Sequence, residues 1–465
     1  MELKGHGPDY TGRFGDKRLA DRAQMLSNAL LLGKTSSIHG STKSEAEQKG
    51  FYRFLSNDRV TEEEMISELT DRCQNNVSGR HVILIQDSSS IGLSHHAGHI
   101  KPGSGVGLVG NKKGLGFLAH TSLVIDAKTD TMLGFSDVQL WHRTGDKSNN
   151  TTRFYKKQPI EEKESYRWIK ASRQGQACLA AAESITIIQD REGDIYEQFC
   201  LIPDERTHLI IRSRDNRKLS DGSRLYDRLS EVPVAGSYQI EVLGDIRKGT
   251  TTRIVTLAVK WMAATLQKPA SAKTKGLPET LTIHAVEVQE VNATVKEPIC
   301  WRLLTTEKVE TYEQAISIIN DYKKRWYIEQ LHRLIKKQGY QIESSELENG
   351  WGIRKLFVMV LNTALRVMQL YLAYDREESQ PTAEVFNEEE IRCLEMIEKK
   401  HIIKTEKTNN PFPKEKLAWV SWIIAHLGGW KGNIKQRRAG PILLKRGIDK
   451  FDVMYEGWKL AQLVI

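Results

Sequence analysis

The chain of 465 residues is 39% hydrophobic and 27% charged, which fits a water-soluble protein of two or three domains. Its net charge of +9 at pH 7 is compatible with a nucleic-acid partner. The five cysteines include no C-x-x-C pair, and no apolar run reaches the ~18 residues of a membrane span. The sequence therefore argues against a zinc ribbon, a disulfide framework and a membrane partner. The first residues lack the apolar core of a signal peptide, and we expect a cytoplasmic, bacterial-type location.

The first 70 residues predict a small helical domain. Asp16 is a suitable N-cap, and apolar residues then recur at helical spacing as far as Gly33. A second helical pattern covers residues 43–55. A small helical module at the front of a basic chain suits DNA binding, so we interpret residues 1–70 as an N-terminal helical DNA-binding domain.

The pattern changes from helices to strands at His81. Val82 to Ile85 is a short apolar run, typical of a strand that is buried on both faces. The elements that follow are two further strands, a helix and a fourth strand, over residues 121–125, 132–140, 164–184 and 185–188. This order is that of the ribonuclease H-like fold. We therefore predict an α/β protein with a ribonuclease H-like catalytic domain over residues 71–371.

Three later segments differ from this pattern. Residues 217–305 have the sequence pattern of strands, and we interpret them as a β-rich insertion into the catalytic domain. The polar, acidic run 375–390, which contains Pro381, predicts a linker. The remainder is helical and rich in tryptophan and basic residues, so residues 372–465 are interpreted as a C-terminal helical domain.

Two aspartates directly follow buried strands. Asp87 ends the run that begins at His81, and Asp190 ends the run 185–189. Side chains at the ends of adjacent strands converge on one edge of an open sheet, where functional groups gather. An aspartate at a strand end is more often a turn residue or a helix cap, so either residue alone leaves both interpretations open.

A third acid, Glu329, lies on a predicted helix. Thr311 with Gln314 forms a capping-box start, and the helical pattern continues through Lys337. At ~100° per residue, five polar residues fall within an arc of about 80° opposite an apolar side. These five are Tyr322, Arg325, Glu329, Arg333 and Lys336. An ordinary amphipathic helix with a charged wet face gives the same pattern, and for this helix alone that alternative is favoured.

Together the three carboxylates suit metal-dependent phosphodiester chemistry. Two cations ~3.5–4 Å apart need acidic oxygens to hold them, and Asp87, Asp190 and Glu329 would supply these. Magnesium prefers such ligands, and we expect manganese to substitute for it. Basic residues around Glu329, among them Arg325 and Lys336, would neutralise DNA phosphates.

Four residue types at fixed spacing form the pattern Y-(2)-R-(3)-E-(6)-K, namely Tyr322, Arg325, Glu329 and Lys336. This pattern resembles the YREK signature of DDE transposases of the bacterial insertion-sequence family, the Tn-five transposase-like enzymes. The blocks VILIQDSSS, IIQDREGDIY and LIIRSR also look like that family's blocks. The resemblance covers nearly the whole chain and thins over residues 219–293 and 375–410.

The resemblance implies roles for individual residues. Asp87, Asp190 and Glu329 would bind two divalent cations, magnesium or manganese. Tyr322, Arg325 and Lys336 would contact the phosphates of the DNA, and Arg212 and Trp301 would contact DNA as well. Arg333, which shares the polar face of the predicted helix, is also expected to bind DNA. Of these, Arg212 would lie near the scissile strand, and Trp301 would stack on a base that is flipped out of the duplex. Packing in the core is the alternative for a tryptophan on a strand.

A member of this family would act as a cut-and-paste transposase. Water would nick one strand at each element end, and the freed 3′-hydroxyl would attack the other strand to give a hairpin. A second water would open the hairpin, and the 3′-ends would then join target DNA. Members work as homodimers on double-stranded DNA, with the C-terminal helices as the expected dimer contact. The alternatives are a ribonuclease H-like nuclease or resolvase that cleaves without joining, and a domesticated DNA-binding protein.

Overall fold

The structure, a computed structural model, divides by its internal contacts into two compact units. The first unit comprises Met1–Ser78, Ser88–Gly145 and Tyr327–Ile465, and the second comprises Gly79–Asp87 and Asp146–Trp326. The residues that the structure describes are 8–33, 35–101, 103–109, 114–143, 158–242, 244, 251–293, 295, 298–374, 379–401, 409–431 and 438–462.

Within these ranges the α-helices are α1 (Lys17–Leu32), α2 (Ile38–Ser41), α3 (Glu45–Leu55), α4 (Glu62–Gln74), α5 (Tyr166–Cys178), α6 (Tyr196–Leu201), α7 (Leu225–Glu231), α8 (Tyr312–Lys323), α9 (Trp326–Arg333), α10 (Gly350–Ala373), α11 (Glu388–His401), α12 (Leu417–Leu427) and α13 (Pro441–Gln462). The strands are β1 (His81–Gly92), β2 (Gly107–Val109), β3 (Gly114–Asp126), β4 (Met132–Trp141), β5 (Ser184–Gln189), β6 (Thr207–Arg212), β7 (Gly236–Val242), β8 (Arg253–Gln267), β9 (Thr280–Glu290) and β10 (Cys300–Thr305).

The N-terminal helices begin at side chains that cap them. Asp16 accepts a hydrogen bond from the Arg18 amide at 2.9 Å at the start of α1, where the sequence predicts an N-cap. Ser44 caps α3 and Thr61 caps α4 in the same way. The N-terminal region is therefore helical, as predicted.

Strand β3 organises the sheet of the first unit. It pairs antiparallel with β2 and β4, and residues 88–92 of β1 belong to the same unit. Asp126 accepts hydrogen bonds from the amides of Lys128 and Thr129 and so closes the turn between β3 and β4. The turn lies between the two strands predicted over residues 121–125 and 132–140, whereas β3 begins at Gly114, well before the predicted start.

Helix α10 forms the core of the first unit. By length and composition it could cross a membrane, but 78% of its most apolar window is buried inside the protein. Arg354 near its start pairs with Glu62 of α4 at 2.6 Å and donates a hydrogen bond to the Leu140 carbonyl of β4 at 3.0 Å. Helix α10 thus ties the N-terminal helices to the sheet of this unit.

The sheet of the second unit combines parallel and antiparallel strands. The first half of β1 pairs in parallel with β5, and β5 pairs in parallel with β6. From β6 the order continues antiparallel through β10, β9, β8 and β7, so the predicted insertion 217–305 is β-rich. An antiparallel β3–β4 pair, a crossover helix α5 and parallel β1, β5 and β6 are the elements of the predicted ribonuclease H-like class. The predicted mixed α/β class with flanking helical regions is confirmed.

The predicted domain boundaries at residues 70 and 371 stay predictions. The predicted linker covers residues 375–390. Its described part, residues 379–390, contains a short 3-10 turn, Thr382–Glu384, and the start of α11. Residues 375–378 lie outside the described residues.

The prediction of a single helix from Thr311 through Lys337 is wrong in one respect. The capping box at Thr311 is present, but α8 ends at Lys323, α9 begins at Trp326, and Leu334–Gln338 form a π-helical turn. At ~100° per residue a straight helix would place the buried residues of α8 opposite those of α9. Its two halves could not both bury their apolar faces, which accounts for the break. Tyr322, predicted on the wet face, is consequently buried, with 4% of its surface exposed.

Asp452 on α13 makes the stability of the first unit depend on pH. Burial raises the pKa of its carboxyl from 3.8 to about 7, although the nearby Arg366 and Lys445 act in the opposite direction. Between these two values the folded state holds a proton that the unfolded state releases. The free energy of unfolding therefore falls as the pH rises through this window.

We expect Asp452→Asn to remove most of this fall and to raise the free energy of unfolding at pH 8 by about 2–4 kcal/mol. Urea unfolding of both proteins at pH 5 and pH 8 measures the effect. The same pH dependence in the variant and the parent would contradict the assignment.

Candidate active site beside the ladder of strands β1 and β5

Asp87 and Asp190 lie level with each other just beyond the last pair of the β1–β5 ladder. Asp190 follows the end of β5, as predicted, but β1 continues to Gly92, so the prediction that Asp87 ends its strand is wrong. Only the part of β1 that pairs with β5 ends before Asp87. The parallel register pairs Ile85 of β1 with Ile188 of β5, and each aspartate follows its isoleucine by two residues. Both isoleucines are fully buried, whereas both aspartates are half-buried. The structure thus brings these two predicted residues to one edge of the sheet of the second unit.

Asp190 also caps a turn. Its Oδ1 accepts a hydrogen bond from the Glu192 amide at 2.8 Å, at the start of the 3-10 turn Arg191–Gly193. The alternative interpretation as a cap is therefore correct for this residue. A carboxylate offers about four lone-pair sites, so a cap does not exhaust its capacity to bind a further ligand.

The two carboxylates influence each other. Burial raises the pKa of Asp190, and the negative charge of Asp87 raises it further, while the Glu192 amide and the Arg325 guanidinium lower it. Two like charges at close range disfavour ionisation of both. A divalent cation would reverse this effect, because its charge favours the ionised carboxylates. The donor set of two carboxylate side chains therefore fits a hard cation such as magnesium.

An aromatic and cationic cluster lies beside Asp190 in the second unit. The rings of Trp301 and Tyr322 meet edge to face with centroids 5.7 Å apart, and the Arg325 guanidinium lies 5.9 Å from the Tyr322 ring centroid. Burial raises the pKa of Tyr322, whereas the positive charges of Arg325 and Arg212 lower it. The negative charge of Asp190 raises it too. Asp190, Arg212, Tyr322 and Arg325 therefore share one electrostatic environment, and Trp301 joins them through its ring contact with Tyr322.

Arg212 ends β6 and is held by the neighbouring strand. One of its guanidinium nitrogens donates a hydrogen bond to the Cys300 carbonyl at 3.3 Å, and its backbone pairs with Leu303 of β10. Trp301 lies next to Cys300 on β10 and is half-buried. The strand β10 of the predicted insertion thus carries one predicted DNA-contacting residue and orients another.

Glu329, Arg333 and Lys336 belong to the first unit. Helix α9 is fixed there by Tyr327, whose hydroxyl donates to Asp130 at 2.7 Å, and by a 2.8 Å hydrogen bond between His332 and Thr121 of β3. Glu329 is half-buried on this helix, and Arg333 is exposed. The predicted apolar side of the helix, which includes Ile328 and Leu331, is fully buried.

Lys336 lies in the π-helical turn and contacts the second half of β1. Its Nζ is 3.6 Å from Oε1 of Glu343 and 3.5 Å from Oγ of Ser89, the second residue after Asp87. The same Glu343 oxygen accepts a hydrogen bond from the Gly92 amide at 3.0 Å. Glu343 therefore anchors the segment after α9 to β1 and is the ion-pair partner of Lys336.

The second unit holds Asp87, Asp190, Arg212, Trp301, Tyr322 and Arg325, and the first unit holds Glu329, Arg333 and Lys336. Across the described ranges of either unit, the structure gathers no group of three or more His, Cys, Asp or Glu side chains that could hold a metal ion. The association of Glu329 with the aspartate pair is therefore a prediction.

Asp194 is a supporting residue that the sequence reasoning missed. It is 1% exposed, accepts a hydrogen bond from the Arg214 amide at 2.7 Å and forms a buried ion pair with Arg217. It thereby fixes the loop that follows Arg212 to the turn that follows Asp190. In the sequence, Asp194 is visible only as the second aspartate of DREGD. The sequence alone does not show that an aspartate in a loop is buried.

Comparison with known proteins bears on the N-terminal helices. Residues 11–60 match the family model for transposase DNA-binding domains. This segment contains α1, α2 and α3, and it gives the predicted N-terminal DNA-binding region independent support. The chain is also similar to a solved piggyBac transposase, in a synaptic complex with hairpin DNA, at 11% sequence identity and a TM-score of 0.37. That similarity covers 75% of this chain and 65% of the piggyBac chain, just under two thirds of its length.

Proposed function

We propose that the chain is a cut-and-paste DNA transposase of the DDE type. The observation that carries the proposal is the level placement of Asp87 and Asp190 just beyond the β1–β5 ladder, beside a cluster of arginine and aromatic side chains. The match of residues 11–60 to transposase DNA-binding domains supports DNA as the partner. The YREK spacing supports membership of the bacterial insertion-sequence family.

Asp87 and Asp190, with Glu329 as the third ligand, would hold two magnesium ions, and manganese would substitute for them. When bound, such cations lower the pKa of the attacking water or 3′-hydroxyl and stabilise the departing oxygen. A cluster of carboxylates repels DNA, so neighbouring cations have to offset that repulsion. Arg325 and Arg212 act in this way beside Asp190.

Arg333 and Lys336 would extend the phosphate-binding surface. Arg333 is exposed on α9. The contacts of Lys336 with Ser89 and Glu343, at 3.5 Å and 3.6 Å, are long enough for a DNA phosphate to replace them. Tyr322 is buried, so its contribution is to hold the Trp301 ring and the Arg325 side chain in place.

The reaction would begin with hydrolysis of one strand at each element end. The freed 3′-hydroxyl would attack the opposite strand to form a hairpin, a second water would open it, and the 3′-ends would join target DNA. Trp301 would offer its ring to a base flipped out at the hairpin, which recovers part of the stacking that is lost. Its edge-to-face contact with Tyr322 and its partial exposure support this role.

The active form would be a homodimer that pairs two element ends. Val453 and Leu460 on α13 are 66% and 64% exposed. Their separation of seven residues places them on one face of the helix. Two exposed apolar side chains on one face support a dimer contact through the C-terminal helices.

The test uses the full chain with magnesium, duplexes taken from the inverted repeats that flank its gene, and a target plasmid. Joined products would support the transposase. Cleavage without joining would replace it with a ribonuclease H-like nuclease or resolvase. Binding without cleavage would replace it with a domesticated DNA-binding protein.

Removal of the Glu343 charge, which attracts Lys336, is expected to raise the affinity of the protein for DNA. In Glu343→Gln the amide oxygen can still accept from the Gly92 amide, but the charge that attracts Lys336 is gone. We expect end DNA to bind about two- to fivefold more tightly at low salt, the range of a partly exposed ion pair. Fluorescence anisotropy in calcium, which blocks turnover, measures this affinity.

The matched control is the same substitution in a Lys336→Met background, where the gain should vanish. An equal gain in both backgrounds would mean that Glu343 repels DNA directly and does not act through Lys336.

A further inference from the structure

A fully buried hydrogen-bond network lies behind the two aspartates. Gln86 and Gln189 immediately precede Asp87 and Asp190, and neither glutamine is exposed. The Gln189 Nε2 donates to the Gln86 Oε1 at 2.7 Å, which links β1 to β5 one residue beyond the last pair of their ladder, Ile85 and Ile188. Successive side chains on a strand point to opposite faces, so the glutamines hold the strand ends from the face opposite to the aspartates.

Ser172 of α5 is the hub of this network. Its Oγ lies 3.3 Å from the Nε2 atoms of both Gln86 and Gln189 and 2.7 Å from the Nε2 of Gln198 on α6. The hydroxyl donates to the Trp168 carbonyl at 2.9 Å, and its oxygen has two lone pairs for three amide groups. One serine therefore connects the two strand ends to the two helices that cover them.

The network is costly to bury. At Ser172, three amide groups compete for two lone pairs. In addition, the Oε1 atoms of Gln189 and Gln198 have no hydrogen-bond partner in the part of the chain that the structure describes. A buried polar atom without a partner destabilises the folded state, and apolar side chains of similar size would fill the same space at lower cost. Stability alone therefore does not explain why these positions are polar.

The network also touches the turn that Asp190 caps. A Cβ atom placed on Gly193 would lie only 2.3 Å from the Gln189 Oε1, so the turn Arg191–Gly193 packs directly against this amide. Movement of the Gln189 side chain would therefore move the turn from which the Asp190 carboxylate accepts its hydrogen bond.

We propose that Gln86, Gln189 and Ser172 are positioning residues that set the spacing of the Asp87 and Asp190 carboxylates for a shared divalent cation. The inference rests on the proposed function, because it takes these two aspartates as cation ligands. Supporting residues of this kind change metal affinity by about 10- to 100-fold when they are replaced.

The test is the double variant Gln86→Met/Gln189→Met, which keeps the side-chain length and removes the hydrogen bonds. We expect an unchanged or higher Tm, DNA affinity within about twofold of the parent, and Mn²⁺ affinity lower by about tenfold or more in calorimetry. Cleavage of end DNA should fall by a similar factor and recover in part at high Mn²⁺ concentration.

Gln176→Met is the matched control. Gln176 lies on the same helix as Ser172, but its amide donates to the Ile202 carbonyl and Asp204, near the start of β6 and away from the aspartates. This variant should lose stability and keep the parent's Mn²⁺ affinity. Should the double variant fail to fold, Ser172→Ala provides the second measurement, with the same expected loss of Mn²⁺ affinity.

Parent-like Mn²⁺ affinity and cleavage in the folded double variant, or in Ser172→Ala, would overturn the inference and leave the proposed function standing. A parent protein that binds no Mn²⁺ and cleaves no end DNA would overturn both.

Discussion

Asp190→Asn is expected to reduce cleavage of element ends by about 1000-fold or more, while binding of the same DNA is kept. The substitution removes one negative charge from the cation ligands, and loss of cation-based stabilisation worth about 4 kcal/mol corresponds to this factor. Binding should persist, because the neighbouring arginines remain and the repulsion between Asp190 and DNA is lost. Single-turnover cleavage and anisotropy on the same duplex separate the two effects.

Asp204→Asn is the matched control for this prediction. Asp204 also caps a turn, accepting from the amides of Arg206 and Thr207, but it lies three residues before β6, at the end of the strand opposite to Arg212. Its loss should lower Tm and leave cleavage per folded molecule unchanged.

Glu329→Gln should reproduce the phenotype of Asp190→Asn, with cleavage lost and DNA binding kept. Unchanged cleavage in Glu329→Gln would remove Glu329 from the site.

The second large effect is expected for Trp301→Ala, which should slow hairpin formation about 10- to 100-fold more than it slows the first nick. A flipped base loses stacking that is worth about 1–3 kcal/mol, and the alanine offers no ring to replace it. Denaturing gels resolve nicked and hairpin products over time. Trp301→Phe keeps an aromatic face and should recover most of the hairpin rate.

Equal slowing of both steps in Trp301→Ala would assign Trp301 to packing alone. Its contact with Tyr322 gives that outcome a structural basis, since loss of the Trp301 ring would also loosen the residue beside Arg325.

Local sequence pattern predicts the strands of the site well. The runs Val82 to Ile85 and Ile185 to Ile188 are apolar except for Thr186, as is typical of strands that are buried on both faces of a sheet. Since both strands belong to one parallel pair, the aspartates that follow them come to the same edge. The capping box at Thr311 and the N-cap at Asp16 depend only on neighbouring residues, and both are present.

Features that depend on tertiary packing were not predictable in the same way. The periodicity from Thr311 to Lys337 looks continuous, but the change of buried face between Tyr322 and Ile328 becomes meaningful only once each half has a surface to pack against. Gln86 and Gln189 look like the polar ends of apolar strands. Their hydrogen bonding through Ser172 joins residues that lie 86 and 17 positions apart in the chain.

The central claim is that Asp87, Asp190 and Glu329 bind the same divalent ions, and iron-directed cleavage of the backbone tests it most directly. Fe²⁺ would replace magnesium in the protein bound to end DNA, and ascorbate with peroxide would generate hydroxyl radicals at the bound ion. We predict three groups of backbone cuts, near residues 87, 190 and 329, all suppressed by excess magnesium. Magnesium-sensitive cuts near residues 87 and 190 with none near residue 329 would contradict the claim.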